Sequence, residues 1–146
     1  MRTETGIYVD TSALAKVYLP ERDSSRVQAS LSRARRVAID RLHVIELRSA
    51  LSRRRRAGEI REDYEISAWR TFRRDIDLGG IEVLPLDDRH VLAGLDLIEA
   101  HHNLGLRPLD AVHLAIAVEH SELLLLTADR TMASIAVRMG VGLHLL

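Results

Sequence analysis

Apolar positions along the chain follow two rhythms. Short runs, Ile7-Tyr8-Val9, Val37-Ala38-Ile39, Ile81-Glu82-Val83-Leu84 and Leu123 to Leu126, have the length and residue types of strands. The last is apolar throughout, as a strand covered on both faces should be. Between these runs the spacing changes to that of helices. A first helix opens at Ala13-Leu14-Ala15-Lys16 with Thr11 or Ser12 as its cap, and Pro20 breaks the chain after it. Further helices are predicted from Asp23-Ser24-Ser25 to about Ala34, Leu42 to Arg56, Arg61 to Asp77, Asp88 to His101, Pro108 through Val118, and Arg130 to Met139. In the third, Leu42, Ile45, Leu47 and Leu51 are assigned to the apolar side. Ala57-Gly58 joins it to the fourth as an αα-hairpin. Val141 to Leu146 supplies a short final strand. Strands alternating with helices predict an α/β fold, a central, mainly parallel sheet of about five strands between helical layers.

Composition narrows this picture. A chain of 146 residues, 47% of them apolar, fits one domain spanning 1–146 with a real core. Aromatic residues make up only 3%, so Leu, Val, Ile and Ala must fill that core. The absence of cysteine excludes disulfides and thiolate metal sites. No basic leader or membrane-length apolar run is present, so a cytoplasmic location away from membranes is expected. Twenty-one basic side chains balance 21 acidic ones, so net charge gives no footprint of nucleic-acid binding. The positive charge is nearly all arginine, gathered at Arg33, Arg35 and Arg36, at Arg53 to Arg56, and at Arg70, Arg73 and Arg74.

Four acids stand out against the predicted elements. Asp10 ends the first strand, and Asp129 lies just beyond the fourth. Glu46 interrupts Val44-Ile45-Leu47 in the third helix, and Asp110 lies among Leu109, Ala111 and Val112 at the start of the sixth. Each has an ordinary explanation as a helix cap, a surface ion pair or a dipole partner. All four holding such roles together is harder to accept, because two follow sheet strands and two interrupt apolar runs. Carboxylates gathered in one cleft repel one another unless a cation lies among them. Oxygen ligands alone select Mg²⁺, with Mn²⁺ as its usual substitute. Such an ion, held by carboxylates, is suited to phosphodiester hydrolysis.

The same residues resemble a family. Val9-Asp10-Thr11-Ser12-Ala13-Leu14, Ile45-Glu46-Leu47, Leu109-Asp110-Ala111-Val112-His113-Leu114-Ala115 and Leu126-Thr127-Ala128-Asp129 are similar, in order and spacing, to the motifs of PIN-domain nucleases. The nearer likeness is to VapC-type toxins of toxin–antitoxin pairs. The resemblance implies a PIN-like three-layer α/β/α sandwich and a metal-dependent endoribonuclease. Asp10, Glu46, Asp110 and Asp129 would form its acidic site, with Thr11 or Ser12 and Thr127 orienting carboxylates or water. It also implies a homodimer and a small antitoxin protein that silences the enzyme. One departure is Thr131-Met132, where the family often has an aromatic. Asp10 and Asp110 are the candidates for direct metal ligation; Glu46 and Asp129 bind through water or serve a second ion. The arginines are expected to rim the acidic groove rather than line it.

Three other architectures share part of this pattern. His43 and Glu46, and Asp110 and His113, are three residues apart, but a carboxylate-bridged di-iron bundle needs Glu-x-x-His twice and no strands between. His113 is expected to pack beneath the site. A receiver-like domain needs an acidic pair at the first strand, and Asp87-Asp88 comes too late for that. The remaining alternative is a catalytically inactive PIN-fold module that binds RNA or protein.

Overall fold

The computed structural model describes residues 5–144 and 146. Four strands, β1 (Gly6–Val9), β2 (Arg36–Asp40), β3 (Glu82–Leu84) and β4 (Leu124–Leu126), form one parallel sheet in the order β3-β2-β1-β4. Its register pairs Ile7 with Val37 on one side and with Leu124 on the other, and Asp40 with Leu84. Seven helices surround it: α1 (Thr11–Tyr18), α2 (Ser24–Arg33), α3 (Arg41–Arg56), α4 (Glu62–Asp77), α5 (Asp88–Ala100), α6 (Pro108–Glu119) and α7 (Arg130–Arg138).

Alternation along the strands divides the core. Ile7, Val9, Ile39 and Leu126 point to one face and pack with Leu14 of α1, Val27 of α2, Leu47 and Leu51 of α3, and Phe72 of α4. Tyr8, Ala38 and Leu125 point to the other, against Leu97 of α5, Leu114 and Ile116 of α6, and Ile135 of α7. Both faces of the sheet are covered, which is why the strands lack a polar side. The α/β sandwich expected from the sequence is therefore present.

α6 is buried without interruption from Asp110 to Ala117, so an acid and a histidine enter the interior on a helix that is otherwise apolar all round. It is held close to α5 at Gly94, where a Cβ would stand 3.2 Å from the backbone nitrogen of Val112.

Three local expectations need correction. Asp10 holds the N-cap position of α1, and Thr11 is its first helical residue; the Thr11 and Ser12 hydroxyls are used elsewhere. Ile45 is 66% exposed. α3 buries one stripe, and His43, Leu47, Ala50 and Leu51 occupy it. The fifth strand shrinks to a single parallel bridge between Leu125 and Leu143, flanked by hydrogen bonds from Leu125 N to Gly142 O and from His144 N to Leu125 O. Leu145, also within that expected strand, lies outside the described residues. No described helix is long and apolar enough to cross a membrane.

Candidate active site

The strand order fixes where a site can form. From β1 the chain leaves through α1 and α2 toward β2 on one side, while β4 adds on the other. The crevice outside the carboxyl ends of β1 and β4 is thus a topological switch point, the usual ligand position in open α/β sheets. A cleft of about 450 Å³ opens there, and its walls include Asp10, Glu46, Asp110, Arg53 and Arg107. Three of the four acids expected from the sequence line it. Asp129 stands at its margin, joined through Arg107.

Asp10 is 3% exposed. Its Oδ2 accepts hydrogen bonds from Ser12 Oγ at 2.9 Å and Thr127 Oγ1 at 3.0 Å, whereas its buried Oδ1 has no partner. The same hydroxyls join the two strand ends: Ser12 Oγ accepts from Ala128 N at 3.0 Å, and Thr127 Oγ1 from Asp129 N at 3.0 Å. Thr11 Oγ1 donates to Glu46 Oε2. Asp110, in the first turn of α6, accepts from Arg107 Nε at 2.7 Å. Asp129 Oδ1 caps α7 by accepting from Met132 N at 3.0 Å, and its Oδ2 lies 3.4 Å from Arg107 Nη2.

Beneath the acids lies a buried polar layer that extends beyond His113 to Asp40, His43 and Tyr8. His113 Nδ1 is 2.5 Å from Asp40 Oδ2, and Nε2 is 2.7 Å from Glu46 Oε1. Asp40 also accepts from Tyr8 Oη and from Leu42 N. The His43 ring stacks on His113 with centroids 3.8 Å apart, and its Nδ1 accepts from Asp40 N at 2.9 Å. His113 was expected to pack under the site, and it does. Asp40 and His43 were missed as part of it. Asp40 and His43 form a reciprocal capping box, the three-residue spacing that marks a helix start when Glu or Gln is the second member. Asp87 and His90 repeat the device at α5, so the Asp-x-x-His spacing was the readable signal.

The electrostatics follow from this packing. Burial alone would push His113 down, but Asp40 and Glu46, hydrogen-bonded on either side, raise it to about 10; the ring is a cation at neutral pH. Burial would raise Asp40, yet His113 and His43 hold it well below the usual carboxylate range. Asp10 is likewise buried but drawn down to about 2 by His43, Ser12 and the His113 charge. Glu46 is lowered against burial by His113 and Thr11. Asp110 goes the other way. Burial, and the charges of Asp10 and Asp129, raise it in spite of Arg107.

Two kinds of cation site are conceivable here. Asp10, His43 and His113 bring three potential ligand atoms within 4.8 Å of one another. The ring nitrogens are committed, however. Both nitrogens of His113 donate to carboxylates, and His43 Nδ1 accepts a backbone proton, which puts the ring's own proton on Nε2, 3.9 Å from Asp10 Oδ1. The available donors are therefore carboxylate oxygens, chiefly the partnerless Asp10 Oδ1 with Asp110 and Glu46 across the cleft. That donor set suits a hard cation such as Mg²⁺ or Mn²⁺.

Of the arginines, Arg53 and Arg107 stand at the cleft, both as exposed residues. Arg54 is tied to Glu21 and Glu59, and Arg48 and Arg55 to Glu65.

No curated protein sequence is significantly similar to the chain. Solved structures share its fold. PAE2754 from Pyrobaculum aerophilum is 22% identical, with a TM-score of 0.60 over 92% of this chain and 95% of that one. A toxin–antitoxin complex from Klebsiella pneumoniae is 18% identical, with a TM-score of 0.59 over 88% and 92%. VapC20 of Mycobacterium tuberculosis, a sarcin-ricin loop cleaving toxin, is 18% identical, with a TM-score of 0.68 over 88% and 94%. The profile of the PIN domain matches residues 7–138, nearly the whole chain, and the chain therefore belongs to the PIN domain family.

Proposed function

We propose that this protein, one nuclease domain over residues 1–146, is a metal-dependent endoribonuclease toxin of a toxin–antitoxin pair. The observation that carries the reading is the cleft itself. Asp10, Glu46 and Asp110 converge at the carboxyl end of the sheet, and a buried Asp10 oxygen accepts no hydrogen bond, with His43 Nε2 3.9 Å away. A protein with no use for a cation has no reason to hold these charges together. Asp10 and Asp110 would hold Mg²⁺ or Mn²⁺ directly, with Glu46 and Asp129 acting through water or on a further cation. Such an ion supplies an activated water and neutralises charge on the phosphate and the leaving oxygen.

The chain's own residues set the geometry. Ser12 and Thr127 fix one oxygen of Asp10 and leave the other free. Thr11 and His113 hold the two oxygens of Glu46 from opposite sides, which keeps that carboxylate ionised and aimed. Arg53, which forms no ion pair among the described residues, offers a phosphate contact on the cleft wall. RNA cut in an exposed loop fits, since unpaired nucleotides can bend into a narrow groove.

Two surfaces support protein partners. Val91, Leu92 and Leu95 are each more than half exposed along α5, a suitable face for a homodimer. Ile45, Ile66 and Trp69 flank the groove between α3 and α4, where a small antitoxin could lay an apolar segment. The cytoplasm, where both RNA and such a partner occur, is the proposed location.

The test is incubation of purified, partner-free protein with a total-RNA pool and Mg²⁺ or Mn²⁺, beside an EDTA control and Asp10→Ala. Discrete fragments that need the ion and vanish in the variant support the enzyme, and their ends identify the target. No fragments from well-folded protein under either ion would favour a binding module without turnover.

A further inference from the structure

The geometry points to Arg107 as a built-in second cation of the cleft, so that the chain takes one divalent ion where its four acids could otherwise hold two. This rests on the metal site proposed above. The guanidinium donates from Nε to Asp110 Oδ2 at 2.7 Å and reaches from Nη2 to Asp129 Oδ2 at 3.4 Å. It therefore bridges carboxylates from two separate elements, the pair that a second ion would have to bridge.

Its position is fixed by the fold. Arg107 is the N-cap residue of α6, with Pro108 behind it at the first helical position. Pro108 locks the backbone φ there, so the side chain starts one turn from Asp110 and within reach of α7. The two halves of the cleft then differ. On the Asp10 side a buried carboxylate oxygen accepts no hydrogen bond, whereas on the Asp129 side the carboxylates already share a permanent positive charge. An arginine cannot give up its proton to make room for an ion, and a guanidinium and a divalent ion cannot share the same pair of oxygens.

The placement also gives Arg107 a use toward substrate. The side chain is 72% exposed, so donors not spent on the two acids face the cleft mouth. A planar fork at that point suits a phosphate oxygen next to the scissile bond. The second of the two charge-stabilising positions common in phosphodiester hydrolysis is in this reading supplied by protein.

The test counts ions without reference to cleavage. Purified chain, stripped with EDTA and dialysed, is titrated with Mn²⁺ while free Mn²⁺ is read by electron paramagnetic resonance. Wild type should bind about one ion per chain, and Arg107→Met, which keeps the aliphatic stem, about two. Arg107→Lys, which keeps a charge, should stay at about one and guards against a misfolded Met variant. Two ions in wild type, or the same stoichiometry in wild type and a folded Arg107→Met, overturns the assignment and leaves the proposed nuclease standing. No Mn²⁺ bound by either chain overturns the metal site and this assignment together.

Discussion

Replacing His113 by Leu should cost far more stability than removing an ordinary core polar group. The ring is fully buried between Asp40 and Glu46, so its loss leaves Asp40 as a buried charge without its counter-ion. Breaking one half of a buried pair costs about 3–5 kcal/mol. The displacement of His113 from 6.5 to about 10 corresponds to roughly the same, about 4–5 kcal/mol. A group whose pKa is raised on folding contributes fully below its unfolded value and loses that contribution as pH rises through its folded value. Wild type should therefore be most favoured by His113 below pH 6.5 and lose most of that support by about pH 10. Asp40, held low, adds its share above about pH 4 and loses it toward acid. Neutralising the other half should relieve the damage: Asp40→Asn added to His113→Leu should recover most of the loss, since a neutral replacement of a buried pair is often tolerated. The assay is urea unfolding in EDTA at several pH values for wild type, the single variant and the double variant. A single variant within about 1 kcal/mol of wild type, or a double variant no better than the single one, would refute the reasoning.

Other outcomes follow from the same geometry. Asp10→Asn should lower RNA cleavage at least about 100-fold and also lower the melting temperature at neutral pH, since His43, Ser12 and the His113 charge favour the ionised carboxylate in the folded chain; unchanged cleavage contradicts the assignment. Ser12→Ala removes a donor to Asp10 and the acceptor for Ala128 N, and chemical denaturation should show a loss of about 1–3 kcal/mol. Phe72→Ala, at a fully buried position packed on Tyr18 and Trp69, should cost about 3–5 kcal/mol without changing the Mn²⁺ count; a change in that count would mean the α4 side of the core reaches the site.

The elements were legible because the local signals agreed. Pro20, Gly58 and Gly79 mark the ends of helices, and β-branched runs mark strands with few competing patterns. Ile45 was misjudged because periodicity marks apolar residues without saying which stripe of a helix faces the core; His43 took an inner position that an apolar count assigns elsewhere. The last strand was overread, since an apolar tail with glycine at Gly140 and Gly142 can lie beside a sheet edge and make only one bridge. Asp10, Glu46 and Asp110 could be picked out because acids beside strand ends or in apolar runs need a reason to be there. Asp40 resembled a simple strand end, and its partner His113 stands 73 positions away. Such a pairing is set by tertiary packing of β2, α3 and α6, which no single stretch of sequence encodes. Arg107 was hidden for a similar reason: an arginine before Pro108 reads as a loop residue until α7 brings Asp129 beside it.

The most direct measurement couples ion occupancy to cutting. EDTA-stripped chain is mixed with one labelled RNA, Mn²⁺ is added stepwise, and bound ion and cleavage rate are read on the same samples. A carboxylate-held ion that does the cutting requires no cleavage in EDTA, a rate that rises in proportion to the ion bound, and neither binding nor cleavage at those Mn²⁺ levels in Asp10→Asn. Cleavage that persists in EDTA, or that survives in Asp10→Asn, would contradict that role.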